Sequence, residues 1–178
     1  MNRILSLIVM TASLILMGCD ESHVQVTHVN DRPHRGSDFV PYLKTFNIID
    51  SYGVDTALDP GVPLTFDPYV DAGIFEIDWQ VNSLEDYQVS FRLNDRPSLT
   101  GSYGVYTEVC GEGLPCDQEA IRICQYYPDL TMACGLDDYV TDVSPLIYEL
   151  PEKLYAVLEV CDLDSSYCEY DYYPVWLE

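Results

Sequence analysis

The clearest pattern in the chain is a two-residue alternation of apolar and polar side chains in FEIDWQVNSLEDYQVSFRLND, residues 75–95. Apolar residues occupy every second position from Phe75 to Val81, and again from Tyr87 to Leu93. Alternate side chains of a strand point to opposite faces of a sheet, so each run predicts a strand with one buried face. Because a short polar loop joins the two runs, we expect them to pair as an antiparallel hairpin.

Further strand candidates lie between turn-forming segments that contain Gly, Pro, Asn and Asp. They are residues 39–48, 63–67, 103–110, 120–126, 154–161 and 167–177. No long segment has a helical period, and only residues 143–150 are expected to form a helical turn. About seven or eight short strands with this spacing predict an all-β fold, an antiparallel β-sandwich over residues 38–178.

One stretch of the sequence indicates which type of β-sandwich to expect. LPEKLYAVLEVC, residues 150–161, resembles the approach to strand F of immunoglobulin-like domains, where a tyrosine closes a corner two residues before a cysteine; in this chain the tyrosine lies six residues before the cysteine. Tyr155 and Cys161 take these places here. The resemblance implies an immunoglobulin-like arrangement of the two sheets.

The N-terminus has the features of an exported bacterial lipoprotein. Arg3 precedes an apolar run over residues 4–16, which is shorter than the about 20 residues that span a bilayer and suits a signal peptide. The sequence Leu-Met-Gly-Cys that ends at Cys19 resembles the lipobox of bacterial lipoproteins. The resemblance implies a signal peptide over residues 1–18 and a lipidated Cys19 that anchors the mature chain in the bilayer.

The residues after Cys19 bear on sorting and on the distance from the membrane. Asp20 resembles the inner-membrane retention signal of enterobacterial lipoproteins, which favours the periplasmic face of the inner membrane over the outer membrane. Residues 19–37 are polar and unpatterned, with Pro33 and Gly36 near their end. This composition predicts a flexible tether between the anchor and the domain.

Charge and histidine content exclude several classes of function. The chain has 30 acidic and 8 basic side chains, a net charge of −22, which argues against a nucleic-acid partner. The three histidines, His23, His28 and His34, all precede the domain. The domain therefore has no histidine for a Ser-His-Asp or Cys-His arrangement or for a mixed His/Cys zinc site, and no cofactor is indicated.

The cysteines predict disulfides. With Cys19 assigned to lipid, an even number remains in an exported domain, which implies three bridges. EVCGEGLPC and EVCDLDSSYC each have a strand that ends at a cysteine, a tight polar loop and a second cysteine. This similarity predicts the bridges Cys110–Cys116 and Cys161–Cys168, and elimination leaves Cys124–Cys134.

The acids between Cys161 and Cys168 are the candidate metal ligands. Asp162 and Asp164 match the first positions of an EF-hand loop, but Tyr167 stands where that loop needs a glycine. We therefore expect solvated acids on a structural hairpin. A looser calcium site remains the alternative; its further acids would be Asp137, Asp138 and Asp142.

The chain has 15 tyrosines, and a tyrosine-rich face beside acids suits contact with an envelope protein or a glycan. These features predict a non-enzymatic binding or structural module of the cell envelope. One alternative is a carboxylate-based hydrolase such as a glycosidase, which needs a pocket with two carboxyl groups about 5–9.5 Å apart. A calcium-dependent adhesion domain is the other.

Overall fold

The computed structural model describes residues 26–28, 40–135 and 139–178, and nearly all regular structure in them is β-strand. The strands are β1 Val26–His28, β2 Tyr42–Ile49, β3 Leu64–Phe66, β4 Ile74–Asn82, β5 Tyr87–Asn94, β6 Tyr103–Cys110, β7 Glu119–Tyr126, β8 Thr131–Cys134, β9 Val140–Asp142, β10 Glu152–Asp162 and β11 Cys168–Leu177. Short 3₁₀ turns form at Asp71–Gly73 and at Ser144–Leu146, the second inside the predicted helical turn. Within the described residues, no helix is long and apolar enough to cross a bilayer.

The strands form two sheets that pack around one core. The six-stranded sheet has the order β1-β11-β10-β5-β6, with β3 also paired to β11, and the five-stranded sheet has the order β2-β4-β7-β8-β9. Only β1 and β3 run parallel to their neighbour β11; the other pairings among the described strands are antiparallel. The fold is an all-β, largely antiparallel β-sandwich, which confirms the predicted class. The immunoglobulin-like arrangement of its two sheets stays a prediction.

Aromatic side chains join the two sheets across the core. Phe75 on β4 stacks on Phe66 of the six-stranded sheet, with ring centroids 3.9 Å apart. Its ring also lies 6.0 Å from that of Phe91 on β5. All three rings are fully buried, as is Trp79 further along β4. The apolar positions of the alternating pattern therefore face inward, as predicted.

The predicted hairpin over residues 75–95 is wrong, although both of its strands form. β4 pairs with β2 and β7 in one sheet, whereas β5 pairs with β10 and β6 in the other. Residues 83–86 therefore carry the chain between the sheets as an arch. The alternation specifies which face of a strand is buried, and a hairpin and an arch bury the same face.

Three short strands lie outside the predicted set. β8 and β9 have too few residues for an alternation to show in the sequence. β1 lies within the predicted tether, so Val26–His28 are a strand paired with Cys168–Tyr170. The signal peptide, Cys19 and the other tether residues lie outside the described part of the chain.

The three predicted disulfides are present, with Cα–Cα distances of 4.8 Å for Cys110–Cys116, 4.0 Å for Cys124–Cys134 and 4.1 Å for Cys161–Cys168. The second bridge joins directly opposed residues of β7 and β8, and the third joins directly opposed residues of β10 and β11. Side chains of opposed residues are close enough for a bridge when the pair is not hydrogen-bonded.

Candidate functional site

The loop between Cys161 and Cys168 is an ordered turn. The Asp162 backbone N–H donates to the Tyr167 carbonyl at 3.0 Å. The Asp164 N–H donates to the Asp162 carboxylate at 3.4 Å, and the Tyr167 N–H donates to the Ser165 hydroxyl at 3.2 Å. Polar side chains of this loop thus bind its own backbone, a common stabilisation of tight turns.

The structure brings a third acid to Asp162 and Asp164. One carboxylate oxygen of Glu85 lies within 4.8 Å of one oxygen from each of them. Glu85 belongs to the arch, and the β5–β10 pairing places Tyr87 opposite Asp162. Sequence reasoning missed Glu85 because only that pairing places it near the loop. An exposed group of carboxylates is, by itself, an ordinary surface feature of so acidic a chain.

Of the other candidate calcium ligands, Asp142 lies in the described part of the chain and is not a member of this group. Asp137 and Asp138 lie outside the described residues. Asp142, on β9, accepts a hydrogen bond from the Ser144 backbone N–H at 2.9 Å. Hydrogen bonds from the side chain and the backbone of Ser144 hold the pKa of Asp142 below its ordinary value.

Aromatic side chains cluster on the outer surface of the six-stranded sheet. The Tyr155 and Tyr172 rings meet edge to face at 5.8 Å, and Tyr170 lies 6.4 Å from Tyr172. Lys153 places its ammonium group 5.7 Å from the Tyr155 ring, and Trp176 lies directly opposite Lys153 in the register. We call these residues the aromatic face: Lys153, Tyr155, Tyr170, Tyr172 and Trp176.

The aromatic face continues into a polar half on the neighbouring strands. Arg92 on β5 forms an ion pair with Glu159 at 3.2 Å and donates to the Ser102 hydroxyl at 2.6 Å. Val157 points to the same outer surface yet is fully buried, because it lies between Tyr172 and Arg92 in the register. The surface is therefore a packed layer of rings beside hydrogen-bonding groups, the composition typical of recognition surfaces.

A partly buried polar cluster lies between the margins of the two sheets. Arg122 on β7 pairs with Glu108 on β6 at 2.6 Å, donates to the Tyr106 hydroxyl at 3.2 Å and lies 5.6 Å from the Trp79 ring centroid. Burial raises the pKa of Tyr106. The ion pair and the hydrogen bond therefore join β6 to β7 across the sandwich.

An open cleft of about 320 Å³ lies beside this cluster. It is lined by Gly104, Val105, Tyr106, Thr107, Cys134 and Tyr139. None of these side chains is a carboxylate, so this cleft does not supply the pair of acids that a glycosidase needs.

No protein-family model matches the chain, and no curated protein and no solved structure matches it. The fold defines the class as a disulfide-stabilised, all-β antiparallel sandwich.

Proposed function

We propose that the protein is an envelope lipoprotein, anchored through a lipidated Cys19, whose β-sandwich acts as a non-enzymatic binding module. The aromatic face is the contact surface, and its partner is an envelope protein or a glycan. The observation that carries the proposal is the contiguous layer of Tyr155, Tyr170, Tyr172 and Trp176 on the outer side of a sheet.

Physical reasons support a recognition role for this layer. Tyrosine and tryptophan bury a large area on contact at a small cost in conformational entropy, and their polar ends bind hydrogen-bonding groups. The adjacent Arg92 and Glu159 give the surface a polar margin. Disulfides persist in oxidising compartments, which agrees with a location on the periplasmic face of the inner membrane.

Site-specific photo-crosslinking in intact cells tests the surface. A benzophenone amino acid replaces Trp176, which is 37% exposed on the aromatic face, or Tyr148, which is 96% exposed elsewhere. We expect discrete crosslinked products from position 176 that diminish when Tyr155 is changed to Ser, and none from position 148. Equal crosslinking from both positions would contradict the assignment.

The anchor has a separate test. Cys19→Ser should abolish palmitate labelling and release the protein from the membrane fraction. A wild-type protein that stays unlabelled and fractionates with soluble proteins would overturn the proposed anchor. It would not contradict the proposed role of the aromatic face.

A further inference from the structure

We propose that β7 presents an open strand edge which takes an extended, positively charged segment of a partner protein by strand addition. This site lies on the five-stranded sheet, and it is independent of the aromatic face and of the lipid anchor. We call it the β7 strip: residues 119–123 together with Glu76 and Asp78.

In the described part of the chain this edge is partly unpaired, because the two neighbours of β7 differ in length. β4 pairs with β7 from Glu119 to Gln125, whereas β8 pairs with it only from Cys124 to Tyr126. Beyond β8, the Gly135 N–H donates to the Ile123 carbonyl at 3.0 Å. Among the described residues, no strand pairs with the second edge of β7 from residue 119 to residue 122.

The hydrogen-bonding groups at this edge can be assigned from the ladder. The Val81 N–H donates to the Gln118 carbonyl at 2.7 Å, and the direction of these groups alternates along an antiparallel pair. Glu119, Ile121 and Ile123 therefore direct their backbone groups away from β4. The bonds that the Ile123 carbonyl accepts from Gly135, and the Ile121 carbonyl accepts from the Arg122 guanidinium at 2.8 Å, agree with this direction. Among the described residues the backbone groups of Glu119 and the N–H of Ile121 have no such bond, and a partner strand would replace the Arg122 guanidinium at the Ile121 carbonyl.

The side chains on this segment are apolar and exposed. Ile121 and Ile123 are 60% and 61% exposed on the outer surface of the sheet. Single exposed apolar residues are ordinary, but two exposed isoleucines beside a partly unpaired strand edge form a surface that natural proteins protect from unwanted pairing. A partner strand would cover these side chains and pair with the edge in one step.

The carboxylates beside the two isoleucines indicate what charge a partner segment should carry. In the register with β4, Ile121 lies opposite Asp78 and Ile123 lies opposite Glu76. Asp78 accepts a hydrogen bond from the Asn47 amide at 3.0 Å, and in the described part of the chain neither carboxylate has a cationic partner. A second copy of the chain, with its net charge of −22, would be repelled. A partner segment in which lysine or arginine alternates with apolar residues would match both the carboxylates and the isoleucines.

A synthetic peptide of alternating lysine and valine serves as the probe for the full-chain, oxidised protein in detergent. Its affinity is measured by fluorescence anisotropy, beside a peptide of the same composition with the lysines in one block. The block peptide controls for the attraction of any polycation to an acidic protein. We expect the alternating peptide to bind at least about tenfold more tightly, a difference of about 1.4 kcal/mol.

Variants locate the site. Ile121→Asn and Ile123→Asn should each weaken the alternating peptide about tenfold, as for a residue at the centre of an interface. Glu76→Gln and Asp78→Asn should weaken it less and reduce its salt dependence. Val109→Asn, at an exposed position on the opposite sheet, is the matched control and should change nothing.

Amide hydrogen exchange distinguishes strand addition from contact with the sheet face. The amides of Ala120 and Arg122 already face β4, so we expect them to be protected in the free protein. The amides of Glu119 and Ile121 should exchange fast and become protected when the peptide binds. Equal affinity for both peptides, unchanged exchange at these two amides, or self-association of the protein through this edge would each overturn the proposal.

Discussion

Two segments of this molecule have the same local form, two strands joined by a short polar loop, and opposite outcomes. β10 and β11 pair with each other along their length, from Glu152 opposite Leu177 to Cys161 opposite Cys168. β4 and β5 do not pair, and they lie in different sheets. The difference shows that a strand's own pattern decides which of its faces is buried. Which strands pair with its two edges is decided by the other strands of the domain.

Different interactions hold the two segments. The β10–β11 turn is closed by a disulfide and by the Asp162–Tyr167 backbone bond. The arch has no ladder of its own: at its end, the Tyr87 hydroxyl donates to the Asp117 carbonyl in the loop before β7. The core contact between Phe75 and Phe91 then joins the two strands across the sheets.

The largest effect is expected for that core contact. Phe75→Ala and Phe91→Ala should each lower the free energy of unfolding by about 3–5 kcal/mol, because each leaves a cavity in a fully buried core. In a double-mutant cycle with Leu substitutions, the two rings should couple by about 0.5–1.5 kcal/mol. The free energies come from urea unfolding.

The control for this cycle pairs Phe91→Leu with Phe46→Leu, since the Phe46 ring contacts Tyr173 instead. The losses in the free energy of unfolding from these two changes should be additive. If the free-energy losses of the Phe75 and Phe91 changes are also additive, β4 and β5 do not meet across the core as an arch requires.

The next effect is expected at the stapled turn. Replacing Cys161 and Cys168 together with Ala should lower the free energy of unfolding by about 2–3 kcal/mol, because the bridge restricts the unfolded chain. The Tm should fall by several degrees. Ser166→Ala, in the same loop, is the control. An unchanged Tm in the double Ala variant would show that the backbone pairing alone holds the turn.

Tyr87 and Tyr126 form a matched pair for the arch. Both are fully buried, but the Tyr126 hydroxyl has no hydrogen-bond partner among the described residues. Tyr87→Phe should cost about 0.5–1.5 kcal/mol, the usual contribution of one hydrogen bond. Tyr126→Phe should be neutral or slightly stabilising at neutral pH. Equal losses for both variants would mean that the bond to Asp117 does not hold the arch.

The same pair predicts the response to alkali. Burial raises the pKa of Tyr126 from 10.0 to about 12, and burial also raises that of Tyr87. For Tyr126 the resulting stability is complete below pH 10 and is lost as the pH rises to about 12. Urea unfolding at pH 8 and pH 11 should show a smaller loss for Tyr126→Phe than for wild type. If wild type and Tyr126→Phe lose the same free energy of unfolding between these two pH values, groups other than Tyr126 cause the sensitivity to alkali.

The smallest effect is expected at the acids of the stapled turn. Asp162→Asn and Asp164→Asn should leave the Tm nearly unchanged or raise it slightly, because they remove like charges. Millimolar calcium should not raise the Tm of the wild type. Binding at about a hundred times the dissociation constant would add about 2.7 kcal/mol. A calcium-dependent rise that EDTA reverses, and that these variants and Glu85→Gln lose, would make this group a metal site.

The candidate surfaces differ in how far the sequence predicted them. Tyrosines on alternate positions of β11 indicate an outward aromatic row, and Asp162 and Asp164 are visible as a pair. Glu85 was missed because it reaches the pair only through the β5–β10 pairing. The exposure of Ile121 was missed as well, because an apolar residue within a strand pattern is expected to face the core, and here it faces outward beside the open edge of β7.

The fold class, most strand positions, the inward face of β4 and β5, and the three disulfides could all be predicted from the amino-acid pattern. These follow from local chemistry: alternation sets a strand's buried face, and a short loop between two cysteines brings their Cα atoms close. The crossing of residues 83–86 between the sheets, and the part of β7 that β8 leaves unpaired, follow from the assembly of all the strands and could not be predicted from the pattern. The physical reason is that backbone hydrogen bonds at a strand edge are the same for every sequence, so the choice of neighbour depends on how the whole set of strands buries its side chains.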